Sequence, residues 1–525
     1  MTVCHNSHNL AFRSPFGAVR AGETVSLTLE AAVTDGITGC DLILRRDGEK
    51  EERIPMERNL VDKLRFFVKI KTPSEGALLW YYFILTDSRG NTLYYGNNAE
   101  GYGGSGRLSE SEPIPYQITV YEVSAAPEWF KNAVVYQIFP DRFCRGSDFE
   151  KRRQDSVRPE GWRGTKRLFT ESFSDIPFYI KNEKGEVTRW PMFGGTLEGI
   201  CEKLLYLKSL GISAVYLNPI FEASSSHKYD TADYTRIDPG FGDDESFKKL
   251  VTEAEKLGIS LILDGVFSHT GADSVYFDKY GNYRSRGACQ GKDSPYFDWY
   301  SFTEFPDKYD CWWGVSDLPC VDKKNTTYND FIYGGDDSIV RRWLRAGARG
   351  WRLDVADELP DEFIQNLRGA MKFTRPDSVL IGEVWEDASN KISYGRRRKY
   401  LLGRELDSVM NYPFRSALTD FMLGKLSAFG LASRLMSLKE NYPPENYKMA
   451  LNLIGSHDRA RIITVLGEAP EDLPESRKEF YKLSPEKYGL AKKRLKLLSL
   501  IQYTVLGVPC IYYGDEAGLE GCEDP

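Results

Sequence analysis

The sequence predicts an α/β fold, a (β/α)8 TIM-type barrel preceded by an N-terminal β-sandwich, on three observations. Residues 20–122 alternate apolar and polar positions between turn signals. Beyond residue 130, short apolar runs alternate with stretches of helical periodicity, and eight such runs read as strands. The 525 residues exceed the size at which a single core keeps growing, so two or three domains are expected.

In the first part, Val25, Leu27 and Leu29 alternate with polar residues, as do Phe66, Val68 and Ile70, and later Ile118 and Val120. Asp35-Gly36, Asp47-Gly48 and Arg89-Gly90-Asn91 supply turns between them. Residues 1–124 are therefore assigned to the sandwich, Ala125-Ala126-Pro127-Glu128 to a linker and residues 125–525 to the barrel.

The clearest barrel unit places Leu197, Ile200, Leu204, Leu207 and Leu210 on one helical face, stops at Gly211 and continues as Ala214-Val215-Tyr216-Leu217. The next repeats it: Phe247, Leu250, Val251, Ala254 and Leu257, then Gly258, then Ile259-Ser260-Leu261-Ile262-Leu263. Strands are expected near 134–139, 213–218, 259–264, 349–354, 379–383, 406–411, 449–455 and 508–513. The stretch from 270 to about 330, after the third strand, is too long for an ordinary loop and is read as a small inserted domain.

Composition narrows the function. A net charge of −7 and a pI near 5.6 argue against a nucleic-acid partner, which would need clustered cations. The basic run Arg396-Arg397-Arg398-Lys399 is read as a solvated face. No apolar stretch approaches the roughly 20 residues that span a bilayer, so no membrane partner is expected. Residues 1–17 lack the apolar run of a signal peptide, and nine cysteines without a Cys-x-x-Cys pair read as reduced thiols, so a cytoplasmic location is expected. The aromatic content of 13% suits a sugar-handling protein, since sugar rings present apolar faces.

Polar residues that end apolar barrel strands are candidates for chemistry. They are Asp264, Arg352, Asp354, Glu383 and the pair His457-Asp458. One such carboxylate reads as a helix cap or ion pair; four at successive strand ends point to a site. Of five histidines, His227, His269 and His457 all fall in strand-end loops. Retaining hydrolysis of a glycosidic bond needs two carboxyl groups about 5–5.5 Å apart, one a nucleophile and one an acid. Asp354 and Glu383, 29 residues apart, would end adjacent strands. Arg352 would hold Asp354 ionised, Glu383 would sit desolvated as the acid, and Asp458 would bind ring hydroxyls and favour the cationic transition state.

These segments resemble the α-amylase family of glycoside hydrolases over nearly the whole chain. Asp264-Gly265-Val266-Phe267-Ser268-His269, Gly350 to Glu358, Gly382-Glu383-Val384-Trp385 and Gly455-Ser456-His457-Asp458 are similar to its four conserved segments. His227 to Tyr234 is similar to its third-loop motif, in which the tyrosine, here Tyr229, stacks on the sugar being cleaved. The resemblance implies Asp354, Glu383 and Asp458 as catalytic residues, and Tyr229, His269, Arg352, His457, Asp264, Glu358 and Trp385 as substrate-binding residues. Val135 to Phe143, the leading sandwich and Glu358 resemble the neopullulanase, cyclomaltodextrinase and maltogenic amylase group. That likeness implies a carbohydrate-binding type of N-terminal domain, maltodextrins, cyclodextrins or pullulan as substrates, and a homodimer through that domain.

Ser268 and Glu358 depart from the family residues that help hold an interdomain calcium, so that calcium is not expected. No cofactor is required; a structural calcium near Asp148 and Asp155 is weighed against a solvated loop, because Lys151, Arg152 and Arg153 lie between them. Nine residues follow the eighth-strand segment Pro509 to Glu516, so the eighth helix and the C-terminal β-domain of the family are expected to be missing. The alternatives are a 4-α-glucanotransferase with the same residues and a non-catalytic carbohydrate-binding member.

Overall fold

The computed structural model describes residues 3–59, 65–123, 126–183, 185, 187–470, 472–478 and 480–522. The chain divides into two compact units, Met1–Ala126 with Trp385–Ala450, and Pro127–Val384 with Leu451–Pro525. Of the linker assigned to Ala125-Ala126-Pro127-Glu128, Ala125 lies outside the described residues, and Glu128 opens a helical turn, Glu128–Lys131.

The first unit contains two largely antiparallel sheets. One is centred on Thr24–Ala31, whose Val25, Leu27, Leu29 and Ala31 are buried in strict alternation against Arg65–Lys71, with Val25 opposite Ile70 and Leu27 opposite Val68. The other is centred on Ala77–Asp87 between Ile37–Arg46 and Tyr116–Tyr121. Inward residues of both sheets, including Leu42, Phe66, Tyr81, Phe83 and Ile118, form one apolar core. Each fully buried side chain of this kind contributes roughly 1.5–3 kcal/mol. The later segment of the unit carries the helices Tyr412–Met422 and Ala428–Asn441. The basic run is not a free surface: Arg397 pairs with Asp47, and Arg398 is buried with its guanidinium over the Tyr400 ring.

The barrel strands, numbered in chain order, are β1 Val135–Ile138, β2 Ala214–Leu217, β3 Ser260–Gly265, β4 Gly350–Leu353, β5 Val379–Gly382, β6 Ser408–Val409, β7 Leu451–Leu453 and β8 Val508–Tyr512. Seven belong to the second unit and pair in parallel in the order β5-β4-β3-β2-β1-β8-β7. β6 lies in the segment grouped with the first unit. β1 to β5 are buried at every position, which explains why they read as continuous apolar runs.

The helix ends follow the sequence. Asp243 and Ser246 form a reciprocal capping box at the start of Asp244–Lys256. Gly211 and Gly258 take positive φ, 81° and 69°, just past the helices that feed β2 and β3, a conformation that favours glycine. The first of these helices differs from the reading above: it is two short helices, Leu197–Glu202 and Leu204–Ser209, separated at Lys203. Its apolar spacing survives such a break, so periodicity alone did not show it.

Two segments decorate the barrel. Between β1 and β2, Lys166–Phe169, Ile180–Lys181 and Val187–Met192 form a small three-stranded sheet that the sequence reading passed over. Between β3 and β4, the aromatic-rich insertion contains a hairpin of Phe302–Glu304 and Lys308–Tyr309. Its rings pack on one another, with Trp299 centred 5.4 Å from Tyr276 and 5.1 Å from Tyr328. Those aromatics are core. Among the described residues, no helix is long and apolar enough to cross a membrane.

Candidate active site

Parallel pairing of β3 with β4 sets Asp264 opposite Arg352. Arg352 Nη1 donates to both Asp264 oxygens, at 2.9 and 3.1 Å, and to Asp354 Oδ1 at 2.9 Å. Its Nη2 lies 2.8 Å from Glu383 Oε2. One guanidinium thus gathers three carboxyl groups from the ends of three adjacent strands. All four side chains are buried, where an unpaired charge would cost several kcal/mol.

One cation cannot neutralise this cluster. Burial pushes Asp354 well above the usual carboxylate range, helped by the charges of Glu383, Asp264 and Asp458 and opposed by Arg352. Arg352 was expected to hold Asp354 ionised; its attraction is outweighed by burial and by the other carboxylates around the same guanidinium.

The backbone adds a donor. Val355 sits at φ 35°, in the left-handed region, a strained place for a β-branched residue. This turn aims its N–H at Glu383 Oε2, 2.7 Å away.

Behind the carboxylates, Asp264 Oδ2 accepts from the hydroxyls of Tyr216 at 2.6 Å and Tyr229 at 2.9 Å. The Tyr229 hydroxyl lies 2.5 Å from His457 Nε2, the two rings being parallel within 2°. Gln137 Nε2 donates to His457 Nδ1 and to Asn218 Oδ1, each at 2.9 Å, and Asn218 Nδ2 donates to Tyr229 at 3.1 Å. Burial, with Arg352 nearby, lowers the His457 pKa to about 3, so the ring is neutral. Asp458, its side chain 31% exposed, is the open member of the set, with Oδ1 3.3 Å from His457 Nε2.

The remaining candidates are His269, Glu358 and Trp385. His269 Nε2 donates to the Tyr229 carbonyl at 3.0 Å, and its Nδ1 meets Ser268 Oγ at 2.9 Å. Both ring nitrogens are therefore engaged by the protein, and His269 holds Tyr229 from behind. Glu358 Oε1 accepts from Trp313 Nε1 at 3.1 Å. Trp385 stacks on Tyr412, centroids 4.4 Å apart, within the first compact unit.

Gln137, Asn218 and Tyr216 were missed as site residues. A polar residue inside the apolar run Val135-Tyr136-Gln137-Ile138, and another directly after Ala214–Leu217, were the available signals. A cavity of about 400 Å³ is lined by His227, Asp230, Tyr280 and residues 314–318, and by Trp190 from the small added sheet. In the loop after β1, Asp148 binds Arg152 and Thr196, and Asp155 binds Lys151.

Residues 137–524 match the family model described as the alpha amylase catalytic domain. The chain belongs to the α-amylase family. It is 40% identical, over 99% of its length, to an amylopullulanase of Thermoanaerobacter thermohydrosulfuricus, but spans only 37% of that protein. It is 34% identical to neopullulanase 2 of Thermoactinomyces vulgaris, covering 85% of this chain and 66% of the relative. A solved cyclomaltodextrinase superposes with a TM-score of 0.62 at 28% identity, covering 100% of this chain and 79% of that one. The barrel and the leading sheets thus agree with a known α-amylase-family architecture. The family's third-loop tyrosine and fourth-segment histidine, Tyr229 and His457, are neighbours in space although 228 residues apart in sequence.

Proposed function

We propose that this chain is a retaining α-glucan hydrolase acting on maltodextrins, cyclodextrins or pullulan. The observation that carries the reading is the sharing of Arg352 by Asp354 and Glu383 at the ends of adjacent strands. Asp354 Oδ1 is anchored to Arg352, which leaves Oδ2 to attack the anomeric carbon while Glu383 gives its proton to the departing glycosidic oxygen. The glycosyl-enzyme ester then yields to water, from which Glu383, now the base, takes a proton. Asp458, the most open carboxylate, supports the developing positive charge by binding ring hydroxyls. Sequence similarity to amylopullulanases over 99% of the chain supports α-glucans as the substrate class.

The test is to incubate the protein with maltotriose, β-cyclodextrin and pullulan beside Asp354→Asn, following products by chromatography and early anomeric NMR. α-Anomeric products from the wild type alone support the reading. β-Anomeric products, or equal turnover by the variant, overturn it.

A further inference from the structure

The Tyr229 hydroxyl has three close polar neighbours and one proton. It lies 2.9 Å from Asp264 Oδ2, 2.5 Å from His457 Nε2 and 3.1 Å from Asn218 Nδ2. Asp264, facing Arg352, is an acceptor, so the Tyr229 proton goes to it. His457 and Asn218 must then both donate to the Tyr229 oxygen. With its amide nitrogen so used, Asn218 turns its carbonyl oxygen to Gln137, which answers with one amide proton and directs the other at His457 Nδ1. An imidazole that accepts at Nδ1 and is neutral carries its proton on Nε2, as the Tyr229 oxygen requires. Inverting both amides would leave the Tyr229 oxygen facing three acceptors with a single proton. The network therefore has one consistent direction.

We propose that Gln137 and Asn218 lock His457 as its Nε2–H tautomer, so that the ring serves the site as a hydrogen-bond donor and never as a base. Gln137 is fully buried in β1 and Asn218 is 1% exposed directly after β2, so strand pairing itself sets the lock. The charged and titratable groups facing the ring are Asp264 from β3, Arg352 from β4, Glu383 after β5, His227 in the loop after β2, and Asp458 beside it. Gln137 is a positioning residue: it acts through His457 on the direction of the Tyr229 hydroxyl. This deepens the hydrolase reading, yet the tautomer can be observed without turnover.

The experiment is 15N NMR of deuterated protein labelled with 15N-histidine. The five histidines keep the spectrum sparse, and His457→Asn assigns the signals it removes. The wild type is expected to show a pyridine-type Nδ1 and a pyrrole-type Nε2 at His457, unchanged between about pH 5 and 8, where an ordinary histidine titrates. Gln137→Glu puts an acceptor of the same shape against Nδ1 and is expected to protonate that nitrogen and lower kcat/KM about tenfold, the effect of one misdirected hydrogen bond. A pyrrole-type Nδ1 or an imidazolium in the wild type overturns the proposal. So does a folded Gln137→Glu with an unchanged nitrogen pattern. Should that variant fail to fold by circular dichroism, the wild-type spectrum alone decides the tautomer. Absence of hydrolysis by the wild type would count against the proposed function and leave this result standing.

Discussion

Arg352 Nη1 spans both carboxylate oxygens of Asp264 in the barrel interior, at 2.9 and 3.1 Å, with both side chains at most 1% exposed. Removing one partner strands a buried charge, which costs about 3–5 kcal/mol. Arg352→Leu is therefore expected to lose stability of that order as well as activity, measured by urea denaturation. An unchanged midpoint would mean that the pair is not maintained in solution.

Asp354→Asn should behave in the opposite way toward stability. The folded state holds Asp354 well above its ordinary value, so the stability linked to it is full below the unfolded pKa and is lost as pH rises through the folded one. The amide has no proton to lose. At neutral pH the variant is expected to melt at or above the wild-type temperature while kcat falls by several orders of magnitude, and the stability gap should close toward pH 4. A variant less stable at pH 7 than at pH 4, relative to wild type, would contradict the raised pKa.

For Glu383→Gln the leaving group decides the size of the effect. Loss of general-acid help lowers kcat on maltotriose by roughly 10²- to 10⁴-fold. An aryl α-glucoside whose phenol departs without a proton should lose far less in the glycosylation step. Equal losses on both substrates, read from pre-steady-state bursts, would remove Glu383 from the acid role.

Much of this site was legible because barrel strands end where apolar runs meet single charged residues, as at Leu263-Asp264 and Gly382-Glu383. Six of the eight strands end within a residue of their expected spans for the same reason: buried parallel strands leave no polar alternation to confuse the reading; β6 and β7 are shorter than expected by two residues at each end. What the sequence did not reveal depends on contacts between distant segments. Gln137 looks like one polar interruption until β1 and β2 bring it to His457, 320 residues away. His269 looks like a sugar ligand until its Nε2 is seen on the Tyr229 carbonyl. The sheet formed by Lys166–Phe169, Ile180–Lys181 and Val187–Met192 has strands too short for alternation to register.

Trp313 shows how exposure and strain combine. It is 72% exposed, stacks on Trp312 at 4.4 Å, takes φ 48° and is tied through its indole nitrogen to Glu358, four residues after Asp354. A large apolar ring held outward at a backbone cost is a place for a sugar face. Trp313→Ala is expected to raise KM for maltooligosaccharides roughly three- to tenfold, as expected for losing a stacking contact of roughly 0.5–1.5 kcal/mol, with kcat and melting temperature little changed. Unchanged KM across maltotriose, maltohexaose and pullulan would leave Trp313 without that role.

A buried ion pair supports the backbone that leads into Tyr229. Lys228, next to Tyr229 and at φ 64°, is fully buried with Nζ 2.8 Å from Asp238, and Arg167 Nη2 reaches the same carboxylate at 2.6 Å. Burial pushes Asp238 up, but Arg167 and Lys228 outweigh it and hold the carboxyl well below its ordinary range; burial likewise lowers Lys228, to about 8. A depressed carboxyl contributes stability that is present above its unfolded value near 3.9 and is lost as pH falls. Asp238→Asn is expected to cost about 3–5 kcal/mol at pH 7, since two buried cations lose their counter-charge, and less near pH 3, where protonation of Asp238 in the unfolded chain already lowers the wild type's stability while the folded pair is still ionised. Because Lys228 carries the backbone into Tyr229, kcat/KM should fall with stability even at temperatures where the variant is folded. Denaturation midpoints from pH 7 to pH 3, with kinetics well below the melting point, test both parts: a pH-independent cost would place the loss in packing and not in the ion pair.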